Sequence, residues 1–122
     1  MPERMNTYAK GLKGEDLAME HLQAKGMVLV SKRYRSPYGE IDLVMLDGDI
    51  IVFVEVKSRT KGDKGSGVAS ITKAKQRRII HTASMYMASQ QMDMLSRFDA
   101  VDISSETIVH IPNAFDASGI SW

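Results

Sequence analysis

Apolar residues along this chain change their spacing several times, and each change marks an element. From about Asn6 to Lys25, Tyr8, Leu12, Met19 and Leu22 recur at alternating four- and three-residue steps once position 15 is counted, which is the spacing of an amphipathic helix. Position 15 is Glu15, so a carboxylate stands in the stripe that should face a core. Gly26 supplies a C-terminal cap. Met27 to Val30 reads as a short strand that extends into the basic SKRYR segment and breaks at Ser36, Pro37 and Gly39. The run "GEIDLVMLDGDIIVFVEVK", Gly39 to Lys57, reads as a hairpin, because Asp47-Gly48 is a strong two-residue turn signal between apolar stretches. Ser58 to Ser70 contains three glycines and several charges and reads as a mobile loop. Ser70 or Thr72 caps a second helix to about Ser89, whose apolar side carries Ile79, Ile80, Ala83, Tyr86 and Met87. Phe98 to Ile103 and Thr107 to Ile111 read as two more strands, and the tail from Pro112 gives no regular signal. The order α-β-β-β-α-β-β predicts an α/β fold with a central mixed β-sheet flanked by helices.

Composition narrows the setting. A length of 122 residues suits a single domain over the whole chain, and 43% hydrophobic with 25% charged residues is ordinary for a soluble globular protein. No apolar run approaches the roughly 20 residues of a membrane-spanning helix. The N-terminus lacks the apolar core of an export signal. With no cysteine, disulfides and thiolate metal sites are excluded, so the expected location is the cytoplasm. The net charge is only +1, which leaves the question of a polyanionic partner to local distribution. Lys32, Arg33 and Arg35 precede the hairpin. Lys57, Arg59, Lys61, Lys64, Lys73, Lys75, Arg77 and Arg78 follow it, interrupted only by Asp63. By itself such a run reads first as a solvated basic face, with a binding surface as the alternative.

The hairpin carries the candidate chemistry. With Asp47 and Gly48 as the two turn residues, Val44 faces Ile51, Asp42 faces Phe53 and Glu40 faces Glu55. Directly opposed residues share a face, as do residues two apart, so Asp42, Glu55 and Lys57 project from one side with Glu40 beside them. Asp42 and Glu55 are then diagonal neighbours at roughly 7–8 Å. Two carboxylates so placed can lean around one hard divalent ion, with waters and a substrate phosphate completing its shell. A lysine beside the ion can orient a water or stabilise charge on an attacked phosphate. The bland alternative is a strand-end ion pair between Glu55 and Lys57, with Asp42 in water. Both readings stand on the residues alone. His21, His81 and His110 are scattered without ligand spacing and are assigned no metal.

Asp42 followed by Glu55-Val56-Lys57 resembles the PD-(D/E)xK signature of the restriction-endonuclease-like nucleases, with Ile41 in place of the proline. "GEDLAMEHL", "GEIDLV", "VFVEVKSRT", the helix beginning "ITKAKQRR" and "RFDAVDI" resemble, in order, the bacterial YraN-like family (UPF0102). The likeness runs from about Gly14 to the "NAF" at Asn113–Phe115. This family is similar to archaeal Holliday-junction resolvases. The resemblance implies a restriction-endonuclease-like fold and a Mg²⁺- or Mn²⁺-dependent endonuclease-like activity on DNA, with branched or junction DNA among the candidate substrates. It makes Asp42, Glu55 and the backbone carbonyl of Val56 metal ligands and Lys57 the catalytic lysine, and it has Glu15 complete the site directly or through water. Glu40, within the GEID motif, either tunes the site or binds Arg35. Lys73, Gln76 and Arg77 share a helix face by three- and four-residue steps and, with Arg59 and Arg35, are the candidate nucleic-acid contacts. Asp99 is the expected salt-bridge partner of Arg97 or Arg35. Junction resolvases work as dimers, so a homodimer is a further expectation. Two other readings stay open: a nucleic-acid-binding module that does not cleave, and a protein-interaction domain.

Overall fold

The computed structural model describes residues 7–58, 71–104 and 107–116. The elements are α1 (Thr7–Ala24), β1 (Val28–Ser36), β2 (Gly39–Asp47), β3 (Ile50–Ser58), α2 (Lys73–Ser89), β4 (Ser96–Ile103) and β5 (Ile108–Phe115). They follow the order expected from the sequence. The predicted 58–70 loop lies, beyond Ser58, outside the described residues.

The sheet has five strands in the order β1-β2-β3-β4-β5. Three neighbouring pairs are antiparallel and β3–β4 is parallel, so the sheet is mixed and α2 lies in the crossover. Each face is covered by one helix. On one side Ile79, Ile80, Ala83 and Tyr86 of α2 pack on Val44, Ile51, Phe53, Phe98 and Ala100. Tyr86 meets Tyr34 and Phe53 edge to face there. On the other side Ala18 and Leu22 of α1 pack on Leu43, Met45, Val52, Val54 and Val101.

Three expectations need correction. The buried row of α1 is Gly14, Ala18 and Leu22, four apart, and Glu15 flanks it. The side chains of Tyr8 and Leu12 lie outside the described residues. Small residues set this contact because they let the helix lie close to the sheet: a Cβ on Gly14 would run into Ser58 Oγ.

The hairpin register also differs. Asp47 pairs with Ile50, Leu46 with Ile51 and Val44 with Phe53, so Gly48 and Asp49 occupy the turn. Gly48 has φ of 61° and Asp49 stays outside the left-handed region. That is the pattern of a turn with glycine at its first central position. Asp47 is held on the strand instead, its carboxylate accepting a hydrogen bond from Arg97 at 3.1 Å. The change moves the pairing by two positions, so it preserves facing.

Finally, β5 continues through Pro112 to Phe115. It is an edge strand, where the missing N–H of proline is tolerated. The irregularity falls at Asn113, which has φ of 52°.

Candidate active site

The site lies where β2 and β3 part. Their paired register stops at Leu43↔Val54, and one further step sets Asp42 level with Glu55. Beyond that point the Val56 N–H donates to Asp42 Oδ2 at 2.7 Å, so a side-chain carboxylate takes the place of a strand carbonyl. β3 meanwhile stays paired with β4 as far as Ser58↔Ile103. β2 likewise stays paired with β1 as far as Ser36↔Gly39, so each arm of the fork is held on its outer side.

A change of facing accompanies the fork. Ile41 packs in the cluster under α2 whereas Leu43 packs in the one under α1, although residues two apart on a regular strand share a face. On the neighbouring strand Lys32 pairs with Leu43 and Tyr34 with Ile41, and between them Arg33 has φ of 52°. Non-glycine residues in the left-handed region are uncommon and cost on the order of 1–3 kcal/mol. The kink turns Arg33 toward α1, where its Nε and Nη2 donate to the two carboxylate oxygens of Glu15 at 2.8 and 3.2 Å. The Glu15 side chain is 14% exposed, and this bidentate pair satisfies it beside the apolar row of its helix.

The carboxylates interact strongly. Asp42 is pushed up to about 7 by burial and by the charge of Glu55, with Glu15 and Glu40 adding to the effect and the Val56 N–H opposing it. Glu55 is buried, and Lys75 of α2 neutralises it with Nζ 2.9 Å from Oε1. Lys57 is lowered from its ordinary range by a hydrogen bond shared with Lys75, by partial burial and by the Lys75 charge, against the pull of Glu55 and Asp42. Burial works to lower Lys75, but its hydrogen bonds with Lys57 and Glu55 and the charges of Glu55 and Asp42 raise it. Asp42, Glu55, Lys57 and Lys75 thus form one interacting group.

The other predicted residues divide. Glu40 accepts a hydrogen bond from Arg35 Nε at 2.6 Å, one of the two roles expected of it. Gln76 donates its side-chain amide to the Ile71 carbonyl at 3.0 Å and so fastens the start of its own helix. Lys73 and Arg77 are exposed on α2. Arg59 lies outside the described residues. Asp99 is fully buried and takes two hydrogen bonds from Arg97, at 2.8 and 2.9 Å, as one of its expected partners. It also contacts His110 Nε2 at 2.7 Å and accepts from the Asn113 N–H at 2.9 Å. This network ties β4 to β5; Asp99 pairs with Val54, the last β3 residue before the fork, and shares its face of the sheet, not that of Glu55.

Lys75 is the site residue that the sequence reading missed. Thr72 caps α2 and its Oγ1 accepts from the Lys75 N–H at 3.1 Å, which fixes the lysine in the first turn. The signal was present in the spacing: the row Ile79, Ala83 and Tyr86 extends back four residues to position 75. Among the described residues no group of three or more histidines, aspartates or glutamates is placed to hold a metal as the side chains stand. Two carboxylates, their neighbouring strand carbonyl and outer carboxylates are nevertheless an all-oxygen donor set, the chemistry that Mg²⁺ and Mn²⁺ take. The elevation of Asp42 comes first from burial and then from the charge of Glu55, and a bound cation would relieve the second of these.

A helix-flanked mixed sheet with a charged fork at the C-terminal end of β3 defines the class. Residues 14–103 match the family described as "Uncharacterised protein family UPF0102", and the chain belongs to that family. It is 46% identical over 112 residues to a UPF0102 protein of Nitrosomonas europaea, covering 89% of this chain and 95% of the relative. A UPF0102 protein of Psychromonas ingrahamii is 43% identical, covering 88% and 89% of the two chains. One from Legionella pneumophila is 42% identical, covering 91% and 98%. Among the described residues no helix is long and apolar enough to cross a membrane.

Proposed function

We propose that this protein is a divalent-cation-dependent endonuclease-like domain of the PD-(D/E)xK type that hydrolyses phosphodiester bonds in DNA. The observation that carries the reading is Asp42: a half-buried carboxylate at a strand fork, pushed to about 7 beside the buried Glu55, with two lysines on the same group. Asp42, Glu55 and the Val56 carbonyl would hold Mg²⁺ or Mn²⁺. The bound ion would supply Lewis-acid stabilisation of the phosphate. With both oxygens engaged by Arg33, Glu15 has the water-mediated part. Lys57 orients the attacking water and faces the charge that builds on phosphorus, and its fixed position on the same strand as Glu55 limits the entropy of that arrangement.

A second reading is favoured by one contact. Lys75 already neutralises Glu55, which is how a nucleic-acid-binding module without cleavage would stabilise an inherited carboxylate. The two are separated by incubating the purified chain with duplex, single-stranded, flapped and four-way-junction DNA, and with RNA, in Mg²⁺ or Mn²⁺, beside Asp42→Asn and Lys57→Ala. Cleavage is expected from the wild type, reduced at least about a hundredfold in each variant. Equal cleavage by all three proteins removes the mechanism. Binding without cleavage selects the module.

A further inference from the structure

The solvent side of α2 carries a row that the carboxylate site does not use. Lys73, Arg77 and His81 are four residues apart, so they align along the helix, and Lys73 and Arg77 are exposed. The row starts at the end of α2 that holds Lys75 and runs about 12 Å to His81 at about 1.5 Å per residue. There the His81 ring stacks on Tyr38, with centroids 5.0 Å apart and planes at 25°. Tyr38 sits with Pro37 in the turn between β1 and β2, closed by the Ser36↔Gly39 pair, and is 51% exposed.

The turn is fastened to α2 without this ring. Ser36 Oγ accepts from the Tyr38 N–H at 3.0 Å and shares a hydrogen bond with Thr82 Oγ1 at 2.8 Å. Gly39 lies so close that a Cβ there would stand 3.5 Å from Arg78 Cβ. These hydrogen bonds and the approach of Gly39 to α2 hold the turn, so the tyrosine is not needed as its staple. A lone exposed aromatic requires no explanation. One that is already stacked, at the end of a row of cations leading from a charged site, has the two parts of a single-strand binding surface: an electrostatic track and a stacking face.

We infer that the Tyr38–His81 stack is a platform for an unpaired nucleobase, with Arg77 and Lys73 taking phosphates of the same strand. The inference rests on the proposed function and sharpens it: the substrate class is nucleic acid with unpaired bases beside the site, as in flaps, branches and single strands. Every base offers a π-face, so this recognition tolerates sequence. Bases inside a uniform duplex offer theirs only after leaving the stack.

The test measures equilibrium binding of labelled oligonucleotides by fluorescence anisotropy, without divalent ions so that nothing is cut. A single strand, a flapped duplex and a blunt duplex of equal length are compared for wild type, Tyr38→Phe and Tyr38→Leu, with thermal melting as a check on folding. Leucine retains apolar cover over His81 but cannot stack. Tyr38→Leu is expected to lose about tenfold on the single strand and the flap and to bind the blunt duplex as the wild type does, while Tyr38→Phe retains both. An equal loss on all three, or no loss on any, overturns the platform and leaves the proposed activity standing. If the wild type binds none of the three, the platform falls; if it also cleaves none of them in Mg²⁺ or Mn²⁺, the proposed function falls with it.

Discussion

Asp42 is the residue at which the energetics of this protein are most exposed to measurement. Its native proton affinity lies above the ordinary carboxylate value because burial and Glu55 disfavour its charge. The native state therefore binds a proton more tightly than the unfolded state does. Its contribution to stability is complete below about pH 4 and is lost as pH rises through about 7. The amide introduced by Asp42→Asn would mimic the neutral form and still accept from the Val56 N–H. In chelator, the stability of Asp42→Asn minus that of wild type should grow by on the order of 4 kcal/mol between about pH 4 and pH 8, measured by denaturant unfolding across pH. Parallel curves would mean that Asp42 titrates normally. Lys75 makes the complementary case. The Glu55 side chain is 8% exposed, so Lys75→Met leaves a buried carboxylate unpaired. Breaking a fully buried pair costs about 3–5 kcal/mol, and with Lys75 31% exposed a loss nearer 2 kcal/mol is expected. Added Mg²⁺ should then stabilise this variant more than wild type, because it replaces the missing charge. Equal Mg²⁺ shifts would show that no cation binds at Glu55.

At the scale of elements, what the sequence made legible and what it hid follow a physical rule. Helices and strands were legible because their apolar spacing is long and regular, and Thr72 announced the start of α2 by its type. The partnership of Asp42, Glu55 and Lys57 survived a wrong turn because a shift of two positions keeps each residue on its face. The fork itself was hidden. It depends on Arg33 in the left-handed region, and arginine carries no signal for positive φ. The contact row of α1 was hidden because its members, Gly14 and Ala18, are too small to mark a hydrophobic pattern. The extension of β5 past Pro112 depends on its place at the sheet edge, which is a tertiary fact. Asp99 shows how an element pair is fixed. Arg97, the Asn113 N–H and His110 outweigh burial and hold its carboxyl below the usual range. Asp99→Asn should cost about 3 kcal/mol in chemical denaturation. Divalent-ion binding by calorimetry should not change, since Asp99 shares the face of Val54 and Glu55 projects from the opposite one.

Across the whole molecule, charge is nearly balanced at +1, so long-range attraction to a polyanion has to come from arrangement. Within the described residues, Arg33, Arg35 and Arg97 are tied to Glu15, Glu40 and Asp99, and Lys75 to Glu55. These pairs consolidate the sheet and its fork and contribute little outward field. Lys73 and Arg77 are exposed on α2, and on the proposed reading they are the described cations that meet phosphate. Each phosphate contact contributes about 0.7 to 0.9 to the slope of log affinity against log salt. Lys73→Ala and Arg77→Ala should each reduce that slope by roughly this amount on every nucleic-acid form that binds. Tyr38→Leu removes stacking and no charge, so it should lower single-strand affinity at every salt concentration and leave the slope where it was. A salt series on the three variants therefore separates the two contributions within one surface. If Tyr38→Leu changes the slope, the ring acts by positioning cations; if neither cationic variant changes it, phosphate is held elsewhere on the molecule.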